Sequence, residues 1–445
     1  KPDRADLSFR RKQDDEEVPI DFELGLRGTS LVLPKGVVQG QKLDLLLREL
    51  TLGVSHIDDF DELPIPFRAI ASDIERGEIH VMKEGDLARA IRASMSVPAV
   101  FTPVRMDGRL LVDGGLVGNL PIDVMQAMDV DIIIAVDVEF PLYGADQLGD
   151  KDILIRPDLG IYGSTDFTNV LDTIEPGRAA AREQTAKLEH IALDEAGWAE
   201  HLASRGTPSE PASHLAFVRV VHDGKLSPRV LESKLDVEAG DPIDHAVLAR
   251  NADYLYGLQL YEQVSYRLVE EDGRTGVEYH ARTKSWGPNI VQFGVSLEDD
   301  FEGSTGFNLA ARLTRAGINR LGAEWRNDIQ LGTDPKLFSE FYQPLSFDSR
   351  FFVAPRVNLG QTNLNAFALE ETVARYRLSE AEGGVDFGRA LGRIGELRFG
   401  LYRGVGDARV WVGVPSLPDI DFETGGAYAR LRSDTRDTAR FPRQG

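Results

Sequence analysis

The pattern of apolar and polar positions divides the chain into three stretches that predict different kinds of structure. Residues 1–205 and 212–285 each mix the spacing expected of helices with short apolar runs expected of strands. From residue 288 onward, apolar positions alternate with polar ones. Alternation of period two is typical of strands that have one apolar and one polar face. The pattern therefore predicts two α/β regions followed by a long β region.

The first stretch predicts an ordered series of elements. Asp86 is placed to cap a helix, Pro121 lies in the first turn of another, and Asp107-Gly108 has the composition of a hairpin turn. The run at 131–140 is apolar on both faces, as a buried parallel strand requires. The predicted elements are a strand at 67–73, a helix at 86–95, a hairpin at 101–113, a helix at 122–128 and a strand at 131–140.

The second stretch predicts a small unit with the element order β-α-α-β-β. Its last two strands are separated by a turn at Asp272-Gly273. The predicted elements are a strand at 215–221, helices at 228–235 and 244–256, and strands at 261–270 and 275–282.

Two architectures are compatible with the alternating stretch after residue 288. A transmembrane β-barrel has an apolar outer face and a polar lumen, whereas a soluble β-sandwich buries its apolar face. Several of the polar faces carry Arg and Glu, which a water-filled lumen can hydrate. This composition favours the barrel, and the sandwich remains the alternative.

Composition excludes several classes of function. The chain has 50 Lys and Arg against 72 Asp and Glu, a net charge of −22, which argues against nucleic acid as a partner. There is no Cys, so disulfides and a thiol nucleophile are excluded. The eight His residues show no metal-ligand spacing, and we expect no metal or other cofactor. No apolar run is long enough for a transmembrane helix.

Asp113 is the residue whose setting points most directly to catalysis. It follows the strand-like run 109–112 and precedes Gly114 and Gly115, which allow the backbone to turn sharply and approach a ligand. A carboxylate in this position can act as a base toward a hydroxyl group. Asp-Gly-Gly is also a common turn, so the motif by itself leaves a purely structural role open.

The segments around Asp113 resemble patatin-like phospholipases. The resemblance lies in residues 71–77, in 85–101, and in Asp113-Gly114-Gly115 continuing to Asn119-Leu120-Pro121, in that order along the chain. It implies an α/β hydrolase domain that acts on phospholipids or other acyl esters. It also implies that Asp113 is the base of a Ser-Asp dyad, without the histidine of a triad.

The nucleophile that this resemblance implies is absent from the sequence. No Gly-x-Ser-x-Gly occurs, because 28–30 lacks the second glycine and 303–306 has the wrong spacing. Ser94 and Ser96 lack a glycine elbow and are interpreted as loop and packing residues. We therefore expect the chain to be truncated at both ends, with the nucleophile upstream, and to be inactive by itself.

The rest of the chain resembles outer-membrane proteins of the Omp85 superfamily. Residues 212–285 resemble a POTRA domain, and residues 286–445 resemble the first part of an Omp85-type barrel. About eight or nine strands are predicted, against about sixteen in that superfamily. The predicted domains are thus a patatin-like domain at 1–205, a POTRA domain at 212–285 and a partial barrel at 286–445.

Together, the resemblances are to patatin-like autotransporters of type Vd secretion. They imply a bacterial outer-membrane location, outer-membrane lipids as partners and a periplasmic POTRA domain. The hydrolase domain would be periplasmic, surface-exposed or released. The alternative is an Omp85-type transporter or assembly protein that carries a non-catalytic patatin-like domain.

Overall fold

The computed structural model divides the chain into two compact units. It describes residues 3–17, 23–34, 38–138, 145–160, 162–163, 169–205, 213–299, 305–368, 371–413, 417–439 and 441–443. One unit is Lys35–Pro211, and the other combines Lys1–Pro34 with Ala212–Gly445. The boundary near residue 211 lies close to the predicted one at 205. The grouping of the first 34 residues with the C-terminal unit differs from the predicted domain 1–205.

The described residues form nine α-helices and nineteen β-strands, numbered here in chain order. The helices are α1 Phe9–Glu17, α2 Gln41–Thr51, α3 Leu87–Ser94, α4 Ile122–Gln126, α5 Ile174–Glu183, α6 Thr185–Ile191, α7 Glu195–Ser204, α8 Pro228–Glu232 and α9 His245–Gly257. The strands are β1 Leu24–Arg27, β2 Ser30–Val32, β3 Ala69–Asp73, β4 Glu78–Met82, β5 Val104–Met106, β6 Arg109–Asp113, β7 Ile134–Val136, β8 Ile153–Ile155, β9 Val218–His222, β10 Tyr261–Glu271, β11 Arg274–Thr283, β12 Asn289–Asp299, β13 Thr305–Arg315, β14 Glu324–Gly332, β15 Lys336–Pro344, β16 Phe351–Ala368, β17 Glu371–Ala390, β18 Gly395–Gly413 and β19 Ile420–Ser433. In the part of the chain that the structure describes, no helix is both long and apolar enough to cross a membrane.

The unit Lys35–Pro211 is built around a four-stranded antiparallel sheet in the order β4-β3-β6-β5. Its core is a cluster that includes Phe60, Ala71, Ala90 and Leu111, all fully buried. The predicted cap of α3 is confirmed, because the Asp86 side chain accepts a hydrogen bond from the Arg89 amide. The predicted hairpin is also confirmed: residues 107 and 108, which join β5 to β6, both have positive φ angles, as a tight hairpin turn requires.

The predicted strand at 131–140 is shorter than expected and is not buried on both faces. β7 pairs in parallel with β8, as predicted for its type. Ile133 and Ala135 are buried, whereas Ile134 and Val136 are about half exposed, at 47% and 53%. The two-stranded sheet has a single covered face, so the apolar residues of the other face remain open. Residues 139 and 140 of the prediction lie outside the described residues.

Residues 213–283 confirm the predicted order β-α-α-β-β. Their sheet has the order β10-β11-β9, with β9 parallel to β11 and β10 antiparallel to it. α9 packs on this sheet, where Leu248, Leu255, Tyr266 and Tyr279 are buried. The Tyr279 hydroxyl donates to the Leu248 carbonyl at 3.3 Å, so the phenol is satisfied inside the core.

The long β region forms most of a ten-stranded sheet in which β12 to β19 follow one another in chain order. Each neighbouring pair of these strands is antiparallel. The register sets odd-numbered residues opposite odd-numbered residues, except beyond the bulges near 366 and 375. The alternation of the sequence therefore continues from strand to strand across the sheet. The predicted combination of an α/β region with a large antiparallel sheet is confirmed.

The two faces of this sheet have opposite character, and the apolar face is the exposed one. The apolar face consists of odd-numbered residues between about 40% and 77% exposed, among them Val295, Leu297, Phe307, Leu309, Ile329, Leu331, Leu337, Phe351, Val357, Leu359, Phe387, Phe399 and Leu401. The polar face consists of even-numbered residues, and its buried members include Asn308, Arg312, Glu324, Glu340, Asp386, Glu396 and Arg398. A β-sandwich buries its apolar face. This arrangement is the reverse, so the sandwich alternative is wrong.

Ion pairs hold α1 against the polar face. Arg10 Nε lies 2.6 Å from Glu324 Oε1, and its Nη1 lies 2.9 Å from Glu340 Oε1. Asp14 accepts from Arg312 Nη1 at 3.1 Å. These pairs between opposite charges of the helix and the sheet attach residues 3–17 to the C-terminal unit.

The hairpin that follows α1 extends the same sheet. β1 pairs with β12, with Leu24 opposite Val291, and β2 pairs with β1. Gly25 is required in this hairpin because a Cβ there would lie 1.8 Å from the Trp286 carbonyl oxygen. The N-terminal residues thus cover the edge that β12 would otherwise expose.

Candidate active site

Asp113 is the last residue of β6, a strand anchored in the core of its unit. Leu111 and Val112 before it are buried, and the strand is paired on both sides, with β3 and with β5. On β3, Ala71 lies opposite Asp113. The Asp113 amide donates to the Ser96 carbonyl at 3.0 Å, which connects the end of the strand to the segment after α3. The backbone at Asp113 is therefore held from two directions.

The Asp113 carboxylate is held by one oxygen. Oδ1 accepts a hydrogen bond from the Gly115 amide at 2.8 Å, across the 3-10 turn Gly114–Leu116. Among the residues that the structure describes, no group donates a hydrogen bond to Oδ2. Asp113 is neither buried nor fully exposed. A carboxylate fixed in this way retains an oxygen that can accept a proton from an incoming hydroxyl.

The two glycines after Asp113 are needed for close approach. Neither has a positive φ angle. A Cβ on Gly114 would lie 2.7 Å from the Ile70 carbonyl oxygen, and one on Gly115 would lie 2.9 Å from Asn119 Oδ1 and 3.0 Å from Asp113 Oδ1. A side chain at Gly114 would clash with the backbone of β3, whereas a side chain at Gly115 would displace the Asn119 or Asp113 side chain.

Two buried serines support this turn. The sequence predicted a packing role for only one of them, Ser96. Ser72 on β3 donates from Oγ to the Gly114 carbonyl at 3.2 Å. Ser96 Oγ donates to the Arg92 carbonyl at 2.8 Å and accepts from Arg92 Nη1 at 2.6 Å. Ser96 is thus a packing residue, as predicted. No sequence signal distinguished Ser72 from any other small strand residue.

An ion-pair network fixes the start of α3, the helix that leads to Ser96. Arg48 on α2 contacts Asp44 at 2.9 Å and Asp86 at 2.8 Å. Burial raises the pKa of the Asp86 carboxyl, but Arg48 and the Arg89 amide outweigh it and hold that pKa below its usual value. The pair joins α2 to the N-terminus of α3, where a carboxylate is favoured by the helix dipole.

Two exposed apolar residues follow the Asp113-Gly114-Gly115 turn in the sequence. Leu116 is 62% exposed and Val117 is 44% exposed. The structure therefore places two open aliphatic side chains within four residues of Asp113.

Among the residues that the structure describes, no serine forms a dyad with Asp113. Within the described ranges, no serine hydroxyl forms a hydrogen bond with its carboxylate. Ser30 belongs to β2 in the other unit. Gly303 and Ser304 lie outside the described residues. No three His, Asp or Glu side chains in the described part of the chain are grouped as metal ligands.

Comparison with known proteins assigns residues 4–125 to the model of the family described as patatin-like phospholipase. The matched range includes α1, β1 and β2, although these elements fold with the C-terminal unit. The chain is 35% identical over 103 residues to an uncharacterised protein of the NTE family from Mycobacterium tuberculosis, covering 23% of this chain and 28% of that protein.

Similar segments occur in longer mammalian proteins. Patatin-like phospholipase domain-containing protein 6 of Homo sapiens is 38% identical over 107 residues, which covers 24% of this chain and 7% of that protein. Patatin-like phospholipase domain-containing protein 7 of Mus musculus is 41% identical over 80 residues, covering 18% and 6%. The chain thus spans less than a third of the length of these relatives.

Two solved structures resemble the chain weakly. BamA from Haemophilus ducreyi lacking POTRA domains 1–3 has a TM-score of 0.39 at 13% identity, covering 54% of this chain and 47% of that one. CdiB from Acinetobacter baumannii has a TM-score of 0.30 at 13% identity, covering 50% and 48%. At these scores, the strand order and register described above remain the basis of the fold assignment. Residues 4–125 of this chain thus match the patatin-like phospholipase family, and they precede a region dominated by a large antiparallel sheet.

Proposed function

We propose that Asp113 is the general base of a Ser-Asp dyad in a lipid acyl hydrolase. The observation that carries this proposal is the geometry of the carboxylate: Oδ1 is held by the Gly115 amide, and Oδ2 has no hydrogen-bond donor among the described residues. The patatin-like identity of residues 4–125 supports the same chemistry. The substrate is a phospholipid or another acyl ester.

In the proposed reaction, Asp113 accepts the proton of a serine hydroxyl as the serine oxygen attacks the ester carbonyl. The alcohol then leaves with that proton, and an acyl-serine remains. Water, deprotonated by the same carboxylate, then attacks the acyl-serine, the fatty acid leaves, and Asp113 returns the proton to the serine oxygen. A base of this kind contributes about 10² to 10⁴ in rate. The serine is supplied by a Gly-x-Ser-x-Gly segment that the 445 residues do not contain.

The exposed side chains of Leu116 and Val117 support a lipid substrate. Aliphatic groups beside a catalytic carboxylate favour an acyl chain over a polar substrate. Both residues follow the Asp-Gly-Gly turn immediately, so a chain that contacts them has its ester close to Asp113.

The test is ester hydrolysis by the product of the complete reading frame with Asp113→Asn. A fluorogenic acyl ester should be hydrolysed at least about 100-fold more slowly, because asparagine cannot accept the proton. Asp107→Asn is the matched control, since Asp107 occupies a hairpin turn with a φ of 48°, which asparagine also tolerates. Turnover by Asp113→Asn equal to that of the control would contradict the proposal.

We further propose that the large sheet is embedded in a bacterial outer membrane as part of a β-barrel. The exposed apolar face and the charged, buried polar face support this assignment. In this scheme residues 1–205 are the hydrolase region, residues 212–285 a periplasmic POTRA domain and residues 286–445 the barrel region. The β-α-α-β-β order of the middle segment supports its assignment as a POTRA domain.

A further inference from the structure

A basic cavity lies at the rim of the large sheet, where β16 begins and β17 ends. It has a volume of about 420 Å³. Four basic side chains line it, Lys234, Arg350, Arg389 and Arg393, together with the acidic Asp236 and Asp348. The cavity therefore carries two more positive than negative charges, although the whole chain has a net charge of −22.

The acidic groups nearby form ion pairs with only some of these cations. Arg350 Nε lies 3.4 Å from Asp348 Oδ2, while Lys234 Nζ donates to the Asp348 backbone carbonyl at 2.8 Å. Arg393 contacts Asp6 at 3.6 Å. Arg389 has no carboxylate within 4.0 Å among the described residues, and its guanidinium lies 5.8 Å from the centre of the Phe351 ring. At least one guanidinium is thus open to an external anion.

The cavity adjoins the end of the apolar face. Arg389 lies opposite Phe351 on β16 and opposite Leu397 on β18. Phe387 is the next residue of β17 on that face, and Phe399 lies opposite it. Phe351, Phe387 and Phe399 are 52%, 54% and 56% exposed. Exposed aromatic side chains therefore lie in a row that begins next to the basic side chains of the cavity.

We propose that this cavity binds the phosphate of an anionic phospholipid, whose acyl chains lie along Phe351, Phe387 and Phe399. Guanidinium groups bind phosphate oxygens in a bidentate geometry. The exposed aromatic side chains would contact the acyl chains of a lipid, which a free anion lacks. The inference rests on the proposed membrane insertion of the sheet, because only then do lipids reach this rim.

The test is lipid binding by the 445-residue chain in dodecyl maltoside micelles, which contain no phosphate. Short-chain phosphatidylglycerol, phosphatidylcholine with the same chains, and inorganic phosphate are titrated separately, and native mass spectrometry measures occupancy. Arg350→Ala/Arg389→Ala removes two exposed side chains, so its fold can be checked against the wild type by circular dichroism. Arg403→Ala is the control, since Arg403 is an 80% exposed arginine on β18 that forms an ion pair with Glu423, outside the cavity.

We expect phosphatidylglycerol to bind best and the double variant to bind it at least about tenfold more weakly, with the control unchanged. Equal binding by inorganic phosphate would overturn the lipid assignment in favour of a free-anion site. Unchanged affinity of the double variant would overturn the site itself. Flotation with phosphatidylcholine liposomes separates the two proposals. A chain that does not float contradicts membrane insertion, whereas one that floats but binds phosphatidylglycerol no better than phosphatidylcholine in the micelles contradicts only this inference.

Discussion

At the scale of single residues, the candidate site depends on side chains that are missing as much as on those present. Asp113 is held by a backbone amide of its own turn, and that turn exists because Gly114 and Gly115 leave room beside β3 and the carboxylate. The glycines were predicted from the motif. A side chain at these positions would contact the Ile70 carbonyl and the Asn119 side chain. The motif could not predict those contacts, because they involve residues outside it.

Gly114→Ala should destabilise the unit Lys35–Pro211 by about 1 to 3 kcal/mol, the usual cost of overpacking. The new Cβ would lie 2.7 Å from the Ile70 carbonyl oxygen, and a strand backbone cannot move away as a flexible side chain can. Gly177→Ala is the control, because no atom outside the local backbone of α5 and the two neighbouring residues lies within 4 Å of its Cβ position. Thermal unfolding followed by circular dichroism measures both. Equal melting temperatures of the two variants would show that β3 accommodates the new Cβ at little cost in stability.

Asp86→Asn should make the stability of the unit Lys35–Pro211 less dependent on pH in the acidic range. Because Arg48 lowers the pKa of Asp86 in the folded protein, this carboxylate contributes stability above its usual pKa of 3.8. That contribution is lost as the pH falls through the lowered value. Asparagine also caps helices, so the variant removes mainly the charge. We expect a loss of about 1 to 3 kcal/mol at neutral pH that diminishes as the pH falls below the usual pKa of this carboxyl group. A constant difference over this range would contradict the role of the charge.

At the scale of elements, α1 shows how charge attaches a helix to a sheet. Its sequence is strongly polar, and its contacts on β13, β14 and β15 are Arg312, Glu324 and Glu340. No apolar stripe in the sequence predicted a partner for this helix. Pairing of charges that are far apart in sequence is visible only once the sheet has formed.

Glu324→Gln should loosen α1. Glu324 is 5% exposed and pairs with both Arg10 and Arg11, so its neutralisation leaves two largely buried guanidinium groups with weaker partners. The cost of about 1.5 to 3 kcal/mol for hydrogen bonds to charged groups corresponds to amide exchange in α1 that is about tenfold faster or more. Glu423→Gln, in an exposed pair with Arg403, is the control. Equal exchange in both variants would show that other contacts hold the helix.

At the scale of the whole chain, the decisive feature is which face of the large sheet is open. The alternation in the sequence fits both a barrel and a sandwich, because both have one apolar face, and only the charged polar faces favoured the barrel. The structure buries the charged face and exposes the apolar one. An apolar face that is open in this way is favourable against hydrocarbon and unfavourable against water.

Leu309→Arg should therefore impair folding into liposomes by about 2 to 4 kcal/mol, the cost of a cation near the middle of a bilayer. Gln330→Arg is the matched control, since Gln330 lies on the polar face of the adjacent strand, opposite Ala310. Folding yield against urea concentration in phosphatidylcholine vesicles measures the difference. If Leu309 faces water in the folded protein, where it is already 48% exposed, both variants should fold equally well.

The sequence by itself determined the local elements, their order and the position of Asp113 at the end of a strand. These properties depend on residues that are neighbours in the chain: the cap at Asp86, the turn at Asp107-Gly108 and the alternation from residue 288 onward. Only the tertiary structure decided that Ser72 supports the Asp113 turn, that residues 3–17 fold with the C-terminal unit, and that the apolar face of the sheet is open. Each of these depends on pairing or burial between residues far apart in the chain, which no local pattern encodes.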